Sequence, residues 1–231
     1  QAISVPGPET QALCELARVC SSALVVGAVE RFGTTLYCVA LLIDANGVLS
    51  GVHRKLLPTA AERIIWGQGD GSGLVVMETA AGRVASAICW ENYMPLYRSA
   101  MYEKRPDVWC APTVDDRDVW QASMRHIACE GRLIVVSACQ YLPTTATVMG
   151  QDITLRDRPA HAPLIRGGSC IVSPLGEVIA GPLHDCEGLI TAEFDADDIV
   201  RARFDLDVVG HYARPDLFHL TINDRAPDTG P

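Results

Sequence analysis

The segment that decides the fold is Ile88-Cys89-Trp90-Glu91-Asn92-Tyr93-Met94-Pro95-Leu96. It follows residues 82–87, whose small and β-branched side chains are typical of a buried strand. Residues 93–104 come next with apolar spacing and no internal breaker, which predicts a helix. Cys89 would then lie at a strand-to-helix turn, where the positive end of a helix dipole favours a thiolate. Most free cysteines are simply buried, so the turn alone does not identify a nucleophile.

Strand pairs and helices alternate on both sides of this segment. Helices are predicted over residues 9–22, 93–104, 120–132 and 195–203. Strands are predicted over residues 24–30, 35–44, 48–53, 74–79, 82–89, 107–111, 133–140, 168–174, 177–180 and 188–194. Because hairpins outnumber crossover helices, the pattern indicates an α/β fold with packed sheets and not a singly wound sheet.

The composition restricts the class of protein. The net charge of −9 argues against a nucleic-acid partner. Apolar residues make up 48% of the chain, but no run approaches spanning length, so we expect a soluble protein without a membrane partner. The nine cysteines include no Cys-x-x-Cys pair, which predicts a reducing, cytoplasmic setting and not a disulfide framework.

Several motifs in one order carry a resemblance that covers nearly the whole chain. They include His53-Arg54-Lys55, Cys89-Trp90-Glu91-Asn92 and Gly210-His211-Tyr212. The matching segments are residues 52–59, 62–63, 66–71, 89–96, 111–113, 126–132, 167–170 and 207–216. The chain resembles the nitrilase branch of the carbon–nitrogen hydrolase superfamily. That resemblance implies an αββα sandwich, with residues 1–231 as a partial hydrolase domain and 205–231 as its C-terminal segment and tail.

The resemblance also implies the site residues. Cys89 corresponds to the nucleophile, Lys55 to the cation beside it and Glu62 to the second glutamate of the family. Lys55 and the backbone N–H of Trp90 would stabilise the tetrahedral intermediate. The predicted lining of the pocket comprises Trp90, Glu91, Tyr93 and His53, of which Tyr93 and His53 fit a packed core equally well. The reaction requires no metal or organic cofactor.

One residue of the family pattern has no match. The first glutamate of the family, which takes the thiol proton, belongs to a Pro-Glu pair upstream of everything in these 231 residues. The chain opens at Gln1, and its first methionine is Met77. We therefore expect an N-terminally incomplete fragment that is inactive, or nearly so, by itself.

The implied reaction converts a small-molecule nitrile into a carboxylic acid and ammonia through a thioimidate and a thioester on Cys89. The alternatives are an amidase, a cyanide-degrading relative, or a catalytically dead fragment that serves as an interaction module. Members of the family self-associate, so the resemblance also implies a homo-oligomer.

Other candidate sites have weaker support. His126 and Glu130 lie four residues apart on a predicted helix, which favours a structural pair over a dyad with Cys89. No short paired spacing supports a metal site among His184, Cys186, His211 and His219. The glycines of residues 66–71 lack the Gly-Lys-Ser/Thr of a phosphate loop. Residues 141–166 show no period and are predicted to be a loop at a pocket rim or a subunit contact.

Overall fold

The structure is a computed structural model that describes residues 2–148, 150–153 and 162–224. The chain forms two units, of which the first contains Gln1–Pro112 with Asp207–Pro231 and the second contains Thr113–Leu206. No helix in the described part of the chain is long and apolar enough to cross a membrane. The prediction of a single domain over residues 1–231 stays a prediction.

The first sheet of the first unit is an antiparallel meander. After helix α1 (Pro8–Cys20), strands β1 (Leu24–Phe32), β2 (Thr35–Ile43) and β3 (Leu49–Arg54) pair in the order β1-β2-β3. Residues 39–43 of the central strand are fully buried, which explains why β2 is a continuous apolar run and not an alternating one. The predicted helix and meander are confirmed to within a few residues.

The second sheet of this unit contains the strand that leads to Cys89. Strands β4 (Val76–Thr79) and β5 (Gly82–Ser86) form the predicted hairpin, and β6 (Val108–Thr113) pairs with β5 in parallel. Parallel neighbours need a crossover connection, and helix α2 (Pro95–Glu103) supplies it. Tyr102 of α2 packs on Trp109 of β6, with ring centroids 5.7 Å apart.

The connection between β5 and α2 differs from the prediction. Residues Cys89–Tyr93 form a 3₁₀ helix, and α2 begins only at Pro95. Met94 between them has extended backbone angles (φ −86°, ψ 105°), because a residue before proline disfavours the helical region. Cys89 therefore begins a 3₁₀ helix, and the α-helix predicted over residues 93–104 begins later, at Pro95. That a helix dipole favours the Cys89 thiolate stays a prediction.

The second unit contains the remaining elements in the described residues. They are α3 (Asp118–Gly131), β7 (Ile134–Cys139), β8 (Tyr141–Leu142), β9 (Ala146–Val148), β10 (Gln151–Ile153), β11 (Ile165–Val172), β12 (Val178–His184) and α4 (Ala196–Asp205). Strand β11 pairs antiparallel with both β7 and β12. In the core, the indole N–H of Trp120 donates to Ser137 Oγ at 2.9 Å. The helix predicted from residue 195 is confirmed as α4, and the Asp195 carboxylate caps it by accepting from the Asp197 N–H.

Two segments of this unit depart from the predicted elements. Residues 188–194 form no strand; a strand requires a hydrogen-bonded neighbour, and Leu189 is 89% exposed instead of packed. The segment 141–166, predicted as a loop, contains the short strands β8, β9 and β10, and β8 pairs with β11. Residues 149 and 154–161 of that predicted loop lie outside the described residues.

Candidate active site

Cys89 has a backbone conformation that residues other than glycine rarely adopt. Its φ is +51°, in the left-handed region, at the first residue of the 3₁₀ helix that follows β5. Non-glycine residues in this region cost about 1–3 kcal/mol and cluster at functional sites. The side chain is 7% exposed. The sequence predicted a turn at Cys89 but not its handedness.

Asn92 holds this turn in place. Its amide Nδ2 donates to the carbonyl oxygens of Cys89 and Ala87, at 2.8 and 2.9 Å. Its Oδ1 accepts from the indole N–H of Trp109 at 2.8 Å. Asn92 is 1% exposed, so all three bonds are shielded from water. Asn92 thus fixes the turn, although it was not predicted as a site residue.

Lys55 is a buried cation that follows the last residue of β3. It is 2% exposed, and its Nζ donates to Glu62 Oε2 at 2.7 Å and to Thr59 Oγ1 at 3.0 Å. Glu62 lies in the 3₁₀ helix Ala60–Ile64 and also accepts from the Thr59 N–H. A lysine ammonium has three N–H donors. Within the described residues, these two bonds leave the third N–H for another acceptor.

Glu91 and His53 are buried and bonded to each other. Glu91 Oε2 lies 2.9 Å from His53 Nε2, and each residue is 1% exposed. The Glu91 carboxylate also accepts from the N–H groups of Leu56 and Ile88, which are the residues after Lys55 and before Cys89. The segments that carry Lys55 and Cys89 therefore meet at one carboxylate.

Cys38 lies close to the same residues. Its carbonyl oxygen accepts from the Lys55 N–H at 2.8 Å. The charges of Lys55, Glu62, Glu91 and Cys89 also act on the pKa of its thiol. Burial is the largest influence and raises the pKa of Cys38 to about 12, so this thiol stays protonated near neutral pH. Cys38 was not predicted as a site residue, because the continuous apolar run of β2 does not distinguish the two faces of the strand.

Trp90 and Tyr93 are the exposed members of the Cys89 motif. They are 41% and 38% exposed and pack edge to face, with ring centroids 6.1 Å apart. Tyr93 is therefore not a core residue. Both rings are exposed beside the Cys89 turn, and their place in a pocket lining stays a prediction.

The glycines of residues 66–71 bond to β2 and to Lys55. Gly67 N–H donates to Leu36 O and Gly69 N–H to Lys55 O, each at 2.8 Å. A Cβ at Gly69 would lie 2.1 Å from the carbonyl oxygen of Arg54, a distance that no side chain tolerates. The glycines of residues 66–71, which lack the pattern of a phosphate loop, thus have a structural role that was not predicted.

The His126–Glu130 pair of α3 lies at the surface. His126 and Glu130 of α3 face each other at 3.7 Å, with the imidazole 63% exposed, as in an ordinary surface pair. Across residues 2–148, 150–153 and 162–224, no group of three or more His, Cys, Asp or Glu side chains could hold a metal ion.

Comparison with known proteins decides the family. The model of the carbon–nitrogen hydrolase family matches residues 1–204. The chain belongs to this family. The nitrilase branch is shown by its relatives: an aliphatic nitrilase of Sinorhizobium fredii is 55% identical over 225 residues, with 96% of this chain and 72% of the relative covered.

Two plant relatives are similar over the same length. Nitrilase 3 of Arabidopsis thaliana is 51% identical, and a bifunctional nitrilase/nitrile hydratase of Nicotiana tabacum is 49% identical. The alignments cover 96% and 97% of this chain and 66% of each relative. The chain thus spans about two thirds of the length of these plant nitrilases.

Solved structures agree on the fold. A carbon–nitrogen hydrolase from Helicobacter pylori matches with a TM-score of 0.74 at 19% identity, covering 90% of this chain and 74% of its own. Nit3 of Saccharomyces cerevisiae, of the nitrilase superfamily, matches with a TM-score of 0.68 at 18% identity, covering 88% and 70%. The α/β sandwich class predicted from the motifs is confirmed.

Proposed function

We propose that the protein containing this chain is a nitrilase that converts a nitrile into a carboxylic acid and ammonia, with Cys89 as nucleophile. One observation carries the proposal: the Glu91 carboxylate bonds to the residue after Lys55 and to the residue before Cys89. It thereby connects the buried Lys55–Glu62 pair with the left-handed Cys89 turn. The similarity to proteins named as nitrilases supports the nitrile as substrate.

The first half of the reaction forms a covalent intermediate. The Cys89 sulfur adds to the nitrile carbon, and the nitrile nitrogen gains a proton to give a thioimidate. A water molecule then adds to the same carbon. The C–N bond of this tetrahedral species breaks, ammonia leaves with its nitrogen, and a thioester remains on Cys89.

The second half releases the acid. A second water adds to the thioester carbon, the C–S bond breaks, and the carboxylic acid leaves as the thiol is restored. The Lys55 ammonium, held by Glu62 and Thr59, is suited to stabilise negative charge on each intermediate. The N–H of Trp90 would act beside it. In comparable enzymes, loss of one such donor costs about 3–4 kcal/mol of transition-state stabilisation.

A second product deserves a test because one relative is named as a bifunctional nitrilase/nitrile hydratase. If the tetrahedral thioimidate adduct expels the Cys89 sulfur and keeps its nitrogen, the product is an amide formed with a single water. The same active site would then give acid plus ammonia and amide in parallel.

The test is a product assay on the protein expressed from its complete reading frame. Purified protein is incubated with aliphatic and arylaliphatic nitriles, the matching amides and cyanide, and ammonia, acid, amide and formate are quantified. We expect acid and ammonia from at least one nitrile, whereas turnover of amides alone or cyanide alone would identify one of the two rival enzymes. The 231-residue chain, assayed in parallel, tests the expectation that it is inactive by itself.

Absence of turnover on all three substrate classes would contradict the proposal. It would favour the interaction module, for which a pull-down with the wild-type and Cys89→Ala proteins is the next measurement. The module would retain its partners in both proteins.

We also propose that the protein is cytoplasmic and forms a homo-oligomer. None of the nine cysteines forms a disulfide, which is compatible with a reducing compartment. Cell fractionation tests the compartment, and light scattering on the eluting protein tests the assembly; a secreted or monomeric protein would contradict these two proposals.

A further inference from the structure

Glu91 connects the two segments that carry the proposed nucleophile and its cation. Its Oε1 accepts from the Leu56 N–H at 2.6 Å, and its Oε2 accepts from the Ile88 N–H at 2.7 Å. One side chain thus bonds to the residue after Lys55 and to the residue before Cys89. Any movement of this carboxylate would change the separation of the two functional side chains.

His53 imposes a condition on the same carboxylate. Its Nδ1 lies 3.0 Å from the carbonyl oxygen of Gly73, and a carbonyl only accepts, so Nδ1 carries a hydrogen. Its Nε2 lies 2.9 Å from Glu91 Oε2. A bare nitrogen lone pair and a bare carboxylate oxygen would repel each other at this distance, so a proton must lie between them.

Neighbouring groups do not remove this requirement. The hydroxyl of Tyr97 is 3.4 Å from His53 Nε2, but its hydrogen points to the Ser86 carbonyl oxygen at 2.5 Å. The proton between His53 and Glu91 therefore belongs to the pair, either as imidazolium with carboxylate or as imidazole with carboxylic acid. In both forms the buried pair is neutral, which avoids the high cost of an isolated buried charge.

We propose that Glu91 is a positioning residue that sets the separation of Lys55 and Cys89, and that the proton shared with His53 keeps its carboxylate in place. His53 and Glu91 do not contact substrate in this role. The proposal deepens the proposed function and rests on it for its kinetic test only. Its second test, the reactivity of the Cys89 thiol, does not require that nitriles be the substrate.

The first variant is Glu91→Gln. The glutamine amide has one oxygen and one NH₂ group, so its NH₂ faces one of the two backbone N–H groups. The hydrogen bond from either Leu56 or Ile88 is therefore lost. We expect kcat to fall about 100-fold with KM nearly unchanged, the scale expected for a misplacement of about 1 Å. The rate at which iodoacetamide alkylates Cys89 should fall in the same variant, read from the peptide that contains it. The control is Glu30→Gln, which alters a buried carboxylate bonded to Arg54 and should leave both rates within about two-fold.

A pair of His53 variants separates positioning from general stability, and it keeps the proposal testable if Glu91→Gln does not fold. His53→Leu removes the ring nitrogen that shares the proton with Glu91, whereas His53→Gln retains an amide N–H that can donate to Glu91. We expect His53→Gln to recover about ten-fold or more of the kcat lost in His53→Leu. Equal kcat in the two, or a folded Glu91→Gln protein with wild-type kcat and Cys89 alkylation, would overturn the proposal.

The two proposals fail in distinguishable ways. If the wild-type protein turns over no nitrile but Glu91→Gln slows alkylation of Cys89, the nitrilase proposal fails and the positioning role stands. If the wild-type protein is active and Glu91→Gln matches it in both measurements, only the positioning role fails.

Discussion

Replacing Asn92 by alanine tests whether the Cys89 turn depends on one buried amide. The substitution removes two donors and one acceptor, which serve the carbonyl groups of Ala87 and Cys89 and the indole N–H of Trp109. A buried polar group deprived of its partner costs about 1–3 kcal/mol, so even the lower value for each of the three gives a loss of about 3 kcal/mol. That is a large share of the free energy of unfolding of a typical domain, about 5–15 kcal/mol.

The assay is urea-induced unfolding followed by tryptophan fluorescence, with the free energy extrapolated to water. The control is Gln11→Ala, which truncates an exposed polar side chain on α1 and should change stability by no more than about 0.5 kcal/mol. We expect Asn92→Ala to lose about 3 kcal/mol and also to lower the proposed activity, because the left-handed Cys89 turn loses its brace. A loss as small as that of the control would refute the reasoning.

Two further substitutions or modifications test neighbouring features. Gly69→Ala places a Cβ 2.1 Å from the Arg54 carbonyl oxygen, so we expect the free energy of unfolding in urea to fall by more than about 2 kcal/mol. The control Gly27→Ala makes only an ordinary contact at 3.4 Å and should be nearly neutral. Equal stability of the two variants would contradict the close approach at Gly69. Burial raises the pKa of Cys110 to about 12, so at about pH 8 only about one thiol in ten thousand is ionised, and reactivity should increase only as the pH rises towards 12. Peptide mapping after brief iodoacetamide treatment should therefore find exposed Cys20 labelled before Cys110, whose exposure is intermediate, and the reverse order would contradict the raised pKa of Cys110.

Much of the fold could be predicted because its elements are locally consistent. The apolar run of β2 and the Ala45-Asn46-Gly47 turn predict a hairpin that the structure confirms. Asp195 predicts the start of α4 because an N-cap is a local bond to a nearby N–H. The predicted start of α2 at residue 93 is too early, because Pro95 disfavours helical backbone angles at Met94.

Features that depend on distant parts of the chain could not be predicted. Residues 188–194 have strand-like composition, but whether a strand forms depends on a partner that the sequence does not name. Glu91 bonds to Leu56 and to His53, which lie 35 and 38 positions before it in the chain. Lys55 and Glu62 were predicted because the resemblance to the family implies both residues, and the structure bonds them to each other.

The most direct test of the proposed function is to trap the intermediate on Cys89. The protein is mixed with a slowly hydrolysed nitrile, quenched with acid during turnover and digested for mass spectrometry. We expect the acyl mass of the substrate on the peptide containing Cys89, and no such adduct in Cys89→Ala, which should also release no ammonia. Continued ammonia release by Cys89→Ala, or an acyl group on another cysteine, would contradict the assignment of Cys89 as the nucleophile.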